Sequence, residues 1–360
     1  MSRSALIMAG GTGGHVFPAL AVAQLLQAQN VKVTWLGTKK GLEADVVPDA
    51  GIEIDWITIN GLRGNGMVGW FLAPYRLLIA ILQARAVIRK RKPDFVLGMG
   101  GFVAGPGGVV AWLQGIPLII HEQNAVPGMT NRLLSIIAKR VLQAFPNAFD
   151  ASKNALTIGN PIREKFVNVM PPLERFSSRA GSNFRLLVVG GSLGALALNN
   201  AMPKAIAKLQ QGISIDVWHQ TGKRHYENTL ALYKEANVTA KVSPFIEDMV
   251  EAYSWADIVI CRSGALTVSE LAAVGVGSML VPFPHAVDDH QTKNGQFLVE
   301  SGAAILIQQK DLNEERLVSV LRDFITHPGK AVQMAEAAYA VRKIDASNIV
   351  VKQCYEVAYV

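Results

Sequence analysis

Three short glycine runs stand where an apolar stretch gives way to a helix: Gly10-Gly11-Thr12-Gly13-Gly14-His15, Gly98-Met99-Gly100-Gly101 and Gly190-Gly191-Ser192-Leu193-Gly194-Ala195. A glycine turn between strand and helix bares backbone N–H groups at a helix N-terminus. Those groups can hold a phosphate, and the helix dipole adds about 0.3–1 kcal/mol per charge. For any single loop, a tight turn that needs glycine only for its backbone angles is an equal reading; three such loops favour an anionic ligand. A fourth constellation is Asp257–Glu270, which reads as a strand, the turn Arg262-Ser263-Gly264, and a helix beginning Ala265-Leu266-Thr267. Glu270, early in that helix, is placed to accept hydrogen bonds from the two vicinal hydroxyls of a ribose. Thr267-x-x-Glu270 is also the spelling of a capping box. That second reading weakens because Pro282-Phe283-Pro284-His285 and Asp288-Asp289-His290-Gln291 follow the next strand on the same rim.

Several chemistries are excluded. The dinucleotide fingerprint fails, because the third glycine position counted from Gly11 and Gly13 is Val16, and the second strand ends Trp35-Leu36-Gly37-Thr38 without the expected acid. Neither Gly222-Lys223 nor Gly329-Lys330 has the upstream glycine or the following Ser/Thr of a Walker A loop. His121-Glu122 lacks the second histidine of His-Glu-x-x-His, and no Asp-x-Asp occurs, so metal-independent, cofactor-free chemistry is expected. Cys261 and Cys354 are the only cysteines and have no metal or disulfide spacing, which fits a reducing cytoplasm.

The elements that position these groups are legible as alternating strands and helices, the pattern of βα units on parallel sheets. Strands are predicted at Ala5–Ala9, Val31–Leu36, Ile52–Ile57, Asp94–Leu97, Pro117–His121 and Arg140–Gln143 in the first half. In the second half they are predicted at Phe184–Val189, Ile213–His219, Ala240–Val242, Asp257–Cys261, Ser278–Val281 and Ala304–Ile307. Ile162–Asn183, with Pro171-Pro172 and no strand alternation, reads as a connection between two domains, and Asn313–Val360 as helical. The expected division is 1–164, 165–340 and a C-terminal helix over 341–360, which is free to pack on either domain, with a return to the first as one arrangement. Two similar α/β domains, each opening with strand, glycine turn and helix, are expected to face one another across a cleft.

With 360 residues, 50% hydrophobic and 18% charged, the chain is folded rather than disordered. Its first nine residues run into glycines too soon for a signal peptide. Phe95–Ile120 carries no charge, but seven glycines and two prolines divide it into strand, helix and strand rather than a membrane span. The net charge of +7 lies wholly in residues 1–160, which hold 15 Lys/Arg against 8 Asp/Glu. Such asymmetry points to an anionic partner for that half: nucleic acid, a phosphorylated substrate or an anionic membrane.

Gly10–His15, Gly98–Phe102, His121-Glu122-Gln123-Asn124, Gly159-Asn160-Pro161-Ile162-Arg163, Gly190–Ala195, Arg262–Glu270 and His290-Gln291 occur in a characteristic order and spacing. Over nearly its whole length the chain resembles the MurG family, bacterial N-acetylglucosaminyltransferases that convert lipid I to lipid II in peptidoglycan synthesis. The resemblance implies the α/β GT-B architecture of two Rossmann-like domains, an inverting transfer from UDP-N-acetylglucosamine to the C4 hydroxyl of the muramyl sugar, and no nucleic acid. It places the uracil on the main chain of Ile246, the ribose on Glu270, the diphosphate on Ser192 and the Ala265-Leu266 turn, and the sugar on Gln291. Thr267, Val268 and Ser269 belong to the same donor segment, with Thr12, Gly13, Gly14, Asn124 and Arg163 closing from the other domain. Leu193 departs from the frequent family glutamine, a change that matters little if loop backbone does the binding.

Inversion in a single displacement needs a base on the attacking hydroxyl. His15 is the first choice, as a histidine at the end of a glycine loop, with a helix-capping or phosphate-contacting role nearly as good a reading; Glu122 is second. A hydrolysing UDP-N-acetylglucosamine 2-epimerase and a non-catalytic UDP-sugar-binding protein are the competing functions. The lipid-linked acceptor implies peripheral attachment to the cytoplasmic face of the inner membrane, near other cell-wall and division proteins. Met67, Val68, Trp70, Phe71 and Leu72, followed by Arg76 and the cluster Arg85, Arg89, Lys90, Arg91 and Lys92, offer an apolar wedge beside cations, with Trp112 contributing. A core helix with a solvated basic end competes with that reading. Pro74 predicts a helix start, leaving Met67–Leu72 in an exposed loop.

Overall fold

The computed structural model describes residues 3–59 and 66–359, with side chains in its third helix described from Leu72 onward. The chain forms two compact units, Met1–Arg163 with Ile344–Val360, and Glu164–Lys343. Unit 1 runs β1 (Ser4–Met8), α1 (Gly13–Ala28), β2 (Lys32–Gly37), α2 (Glu43–Asp49), β3 (Glu53–Trp56), α3 (Gly66–Arg91), β4 (Phe95–Gly98), α4 (Ala104–Leu113), β5 (Leu118–Glu122), α5 (Met129–Leu134), β6 (Arg140–Gln143) and β7 (Leu156–Thr157). Its parallel sheet has the order β3-β2-β1-β4-β5-β6-β7. Strands such as Ala5-Leu6-Ile7-Met8 are apolar at every position because helices cover both faces, and one buried cluster lies on each side of the sheet.

Unit 2 runs α6 (Pro172–Ser177), β8 (Phe184–Val189), α7 (Leu196–Gln210), β9 (Ile215–Gln220), α8 (Tyr226–Glu235), β10 (Lys241–Ser243), α9 (Met249–Trp255), β11 (Ile258–Cys261), α10 (Ala265–Val274), β12 (Gly277–Leu280), α11 (His290–Glu300), β13 (Ala304–Leu306), α12 (Glu314–Thr326) and α13 (Pro328–Ala340). Its parallel sheet, β10-β9-β8-β11-β12-β13, repeats the order of the first six strands of unit 1. In both units the strand order reverses beside the first strand. That switch point opens a crevice at the carboxyl ends of β1 and β4, and of β8 and β11, where the glycine loops follow.

The last helix, α14 (Ala346–Tyr359), belongs to unit 1, with Val350, Val351, Cys354 and Val357 in the cluster beside α1. The Arg3 guanidinium lies over the rings of Tyr355 and Tyr359, 4.9 and 5.2 Å from their centroids, and Tyr359 donates to Asp94. Two expectations change. Ile162–Asn183 is not a free connection: it contains α6, whose Arg175 guanidinium is buried and donates to the carbonyls of Val274 and Gly275. The helix expected to begin at Pro74 begins at Gly66 and runs through the proline. The apolar segments on either side, Met67–Leu72 and Leu77–Leu82, carry the helix past the one hydrogen bond the ring removes. The loop reading of Met67–Leu72 is therefore withdrawn, and the side chains of Met67, Val68, Trp70 and Phe71 lie outside the described residues.

Candidate active site

In unit 1 the Gly10–His15 turn is braced by a carboxylate. Gly11 N–H donates to Glu43 Oε2 at 2.9 Å, while the other oxygen of this fully buried side chain accepts from Thr38 N–H at 2.9 Å and Thr38 Oγ1 at 2.8 Å. The loop after β4 packs against the same turn. A Cβ on Gly101 would stand 2.3 Å from the Gly10 carbonyl oxygen, and one on Gly100 would stand 2.6 Å from His15 Nδ1. Thr12 caps α1 without a side-chain hydrogen bond; the His15 N–H donates to the Thr12 carbonyl at 3.1 Å, and the Gly13 and Gly14 amides precede the helical hydrogen-bond ladder.

His15 sits in the first turn of α1, half-buried, with Nδ1 2.8 Å from Gln123 Oε1. Gln123 Nε2 lies 3.1 Å from His121 Nδ1 and donates to the His121 carbonyl at 3.2 Å; His121 Nε2 lies 2.9 Å from the Gly159 carbonyl oxygen. Burial pushes the His121 imidazole down to about 4, against the opposing pull of the Gly159 carbonyl and the Glu122 charge, so the ring is neutral at pH 7. Glu122 has a different occupation. Its Oε1 accepts from Asn124 N–H at 3.0 Å and Asn124 Nδ2 at 3.3 Å, and its Oε2 from Gly128 N–H at 3.1 Å and Asn131 Nδ2 at 2.9 Å. This carboxylate folds the loop from β5 to α5.

In unit 2 the Gly190–Ala195 loop consumes several of its own amides. Gly190 N–H donates to the Gln220 carbonyl at 2.8 Å, Gly191 N–H to Gln220 Oε1 at 2.9 Å, and Gly194 N–H to the Gly191 carbonyl at 3.0 Å. The exposed tip is then Ser192-Leu193. Beneath it Asn199 donates to the Thr221 carbonyl at 3.0 Å and lies 3.1 Å from His219 Nε2, whose Nδ1 is 2.9 Å from the Tyr233 hydroxyl. Burial lowers His219 to about 3.

The N-cap of α10 is Gly264, in extended conformation, and as a glycine it offers no side chain to cap the first turn of the helix. Thr267 is the third residue inside this helix. The capping-box reading of Thr267 and Glu270 therefore fails, and Glu270 stands half-buried in the second turn. Arg262 donates to the carbonyls of Val281 and Pro282, both at 3.0 Å, and to Gln309 Oε1 at 2.6 Å, bracing the loop after β12. Gln291 Oε1 accepts from Phe283 N–H at 2.9 Å, which leaves its amide NH2 to point elsewhere. Ile246 is buried in the loop after β10, next to an exposed Phe245.

Residues 5–143 match the glycosyltransferase family 28 N-terminal domain, and residues 185–349 its C-terminal domain. Over 358 residues, 99% of each chain, the sequence is 52% identical to the UDP-N-acetylglucosamine--N-acetylmuramyl-(pentapeptide) pyrophosphoryl-undecaprenol N-acetylglucosamine transferase of Methylococcus capsulatus. The crystal structure of Acinetobacter baumannii MurG superposes with a TM-score of 0.87 at 42% identity, covering 98% of this chain and 99% of that one. The chain belongs to glycosyltransferase family 28, in its MurG branch. The UDP-GlcNAc 2-epimerase of Neisseria meningitidis shares the fold alone, with a TM-score of 0.68 at 14% identity over 98% of this chain and 100% of that one.

For a MurG-branch chain the expected site residues divide cleanly. Unit 1 carries Thr12, Gly13, Gly14, His15, Glu122, Asn124 and an exposed Arg163; unit 2 carries Ser192, Ile246, Ala265, Leu266, Thr267, Val268, Ser269, Glu270 and Gln291. Val268 is in the core with its N–H bonded to the Gly264 carbonyl, and Ser269 Oγ donates to the Ala265 carbonyl at 3.0 Å, so both shape the helix start. Glu43, Asn131, Asn199 and Gln220 went unread in the sequence, and Gln123 was read only as part of a motif, with no role of its own. One signal existed for some of them: His121-Glu122-Gln123 and His219-Gln220 are polar residues ending apolar parallel strands, at the end of the sheet where ligands gather.

Proposed function

We propose that this chain transfers N-acetylglucosamine from UDP-N-acetylglucosamine to the C4 hydroxyl of the muramyl sugar of lipid I, giving lipid II and UDP with inversion at the anomeric carbon. The observation that carries the reading is the end-to-end 52% identity to a named transferase of this specificity, with both family 28 domains present. The donor groups belong to unit 2. The start of α10 and the Ser192-Leu193 tip take the diphosphate, Glu270 the ribose hydroxyls, the main chain at Ile246 the uracil, and the NH2 of Gln291 the sugar. Thr12, Gly13, Gly14, Asn124 and Arg163 supply contacts from unit 1. In the reaction the C4 oxygen bonds to the anomeric carbon as its proton passes to His15. The bond from that carbon to the β-phosphate oxygen breaks with its electron pair on UDP, whose charge the amides receive. Four hydrogen bonds already hold the Glu122 carboxylate, which favours His15 over Glu122 as the base.

Labelled UDP-N-acetylglucosamine incubated with and without a lipid I analogue tests this. Release of UDP only with acceptor, with label in the lipid, is expected; turnover without lipid would select an epimerase instead. His15→Ala should lower kcat about 10²-fold or more at little cost in UDP affinity.

The same reading includes attachment to an anionic membrane through unit 1. Tyr75, Leu78 and Leu82 of α3 are 64%, 53% and 53% exposed and follow one another at helical spacing on one face, which continues into the exposed Arg85 and Arg89. Trp112 and Leu113 of α4, which packs on α3, and Met129, Leu133 and Ile136 on and after α5 add exposed apolar surface. Of the basic cluster, Lys90 and Arg91 are held by Asp55 and Glu53, so the wedge draws its charge from the other cations. Among the described residues no helix is long and apolar enough to cross a membrane. Flotation with anionic vesicles at low salt should carry the protein upward; recovery wholly at the bottom would overturn this part.

A further inference from the structure

We infer that Gln123 is a positioning residue that fixes His15 as the Nδ1–H tautomer, leaving Nε2 with the lone pair that takes the proton. The inference deepens the assignment of His15 as base and rests on it for its catalytic consequence, though not for the tautomer itself.

The chain of constraint starts at two backbone carbonyls, which can only accept. His121 Nε2 is 2.9 Å from the Gly159 carbonyl oxygen, so Nε2 carries a proton. The ring is wholly buried and neutral, so His121 Nδ1 is an acceptor. The Gln123 side-chain nitrogen faces that acceptor at 3.1 Å and the His121 carbonyl at 3.2 Å, and both contacts require a donor. Turning the amide over would set its oxygen against two acceptors in a site where neither atom reaches water, since Gln123 is 0% exposed. The amide oxygen is thereby aimed at His15, and an oxygen 2.8 Å from Nδ1 demands a proton there. A neutral imidazole holds one proton, so Nε2 is bare. Among the described residues Nε2 makes no hydrogen bond. The ring also lies close to Gly100, where any side chain would collide with Nδ1 and Cε1.

An amide suits this task. A carboxylate at position 123 would repel the His121 carbonyl and add a second negative charge beside Glu122. An apolar residue would leave Nδ1 free to lose its proton to Nε2, the form that histidine favours in water. After the proton is taken, the imidazolium keeps its Nδ1–H bond to Gln123, so no partner has to rearrange during the transfer.

The test is nitrogen NMR of the full-length protein labelled in its histidine rings, with the His15 signals identified by their loss in His15→Asn. At a pH where the ring is neutral, His15 should show a protonated Nδ1 and an unprotonated Nε2; the reverse pattern would overturn the inference whatever the base proves to be. Gln123→Met is expected to shift His15 toward Nε2–H and to lower kcat about 10²-fold, with the KM for UDP-N-acetylglucosamine within about twofold. A Met variant that moves the tautomer but keeps kcat would remove the catalytic role of Gln123. If Gln123→Met does not fold, the wild-type spectrum still decides. Retained kcat in His15→Ala, with Nδ1–H observed, would sink the base assignment and leave the tautomer standing.

Discussion

Both ends of the Gln220 side-chain amide are bonded to the single residue Gly191: Oε1 accepts from Gly191 N–H at 2.9 Å, and Nε2 donates to the Gly191 carbonyl at 3.1 Å. Gly191 has φ near +81° and the loop has few other side chains to hold it, so this bond pair sets where the Ser192 and Leu193 amides point. Gln220→Leu should leave a buried donor and acceptor without partners, at about 1–3 kcal/mol of stability. If the loop holds the diphosphate, the Kd for UDP should rise roughly 10-fold while kcat at saturating donor changes little. Calorimetric titration with UDP beside steady-state kinetics checks both; an unchanged UDP affinity would mean the loop keeps its form without the glutamine.

Glu43 makes the corresponding bonds in unit 1, but as a carboxylate facing three donors. Glu43→Gln is therefore not conservative. One of its two terminal atoms becomes an NH2 group, and it must face either Gly11 N–H or the Thr38 donors. Both Glu43→Gln and Glu43→Ala should lose about 2–4 kcal/mol, with the glutamine variant no better than the alanine, because hydrogen bonds to a charged group are worth about 1.5–3 kcal/mol. Urea unfolding of the three proteins measures it, and a glutamine variant as stable as the parent would show that the carboxylate is not needed.

These two residues also show where the sequence stops being readable. The strand and helix order follows from apolar runs punctuated by glycine, and all but one strand was legible. The exception, β7, is two exposed residues at the sheet edge, too short to show a pattern. The glycine loops and the start of α10 were legible because their chemistry lies in backbone exposed by local residue type. The bonds from Glu43 to Gly11, 32 residues away, and from Gln123 to His15, 108 residues away, arise only when the strand order sets β1 beside β2, β4 and, one strand further, β5. A polar residue ending an apolar strand marks Gln123 and Gln220 as near the ligand end of the sheet, but nothing in one sequence says which distant group each will hold. The helix through Pro74 and α6 inside the presumed connection were misread for the opposite reason: local proline signals were given weight that packing overrode.

The two buried histidines make stability depend on acidity. His121 and His219 have native pKa values lowered by burial to about 4 and about 3, against about 6.5 when unfolded. Between those limits the unfolded chain binds more protons than the folded one. Their contribution is thus fully present above pH 6.5 and is lost as the pH falls below it. At pH 5 each should cost about 2 kcal/mol relative to pH 7.5, His121 in unit 1 and His219 in unit 2. Urea denaturation at the two pH values reads the difference, and equal stabilities would show that both rings accept a proton in the native state.

The leucines of α3 allow the membrane contact to be separated from folding. Leu78 and Leu82 are about half exposed, so Leu78→Gln with Leu82→Gln should change stability by no more than about 0.5 kcal/mol per site. On a bilayer the same two side chains would leave water, and losing them should weaken partition to anionic vesicles roughly 10-fold each. Arg85→Gln with Arg89→Gln should weaken it by about 1 kcal/mol per charge. Salt distinguishes the two contributions: raising ionic strength should erase the difference between the arginine variant and the parent, because it screens charge, and leave the leucine variant's deficit in place. Vesicle flotation across a salt series gives all four comparisons, and a leucine variant that floats like the parent would place the membrane contact on some other face of unit 1.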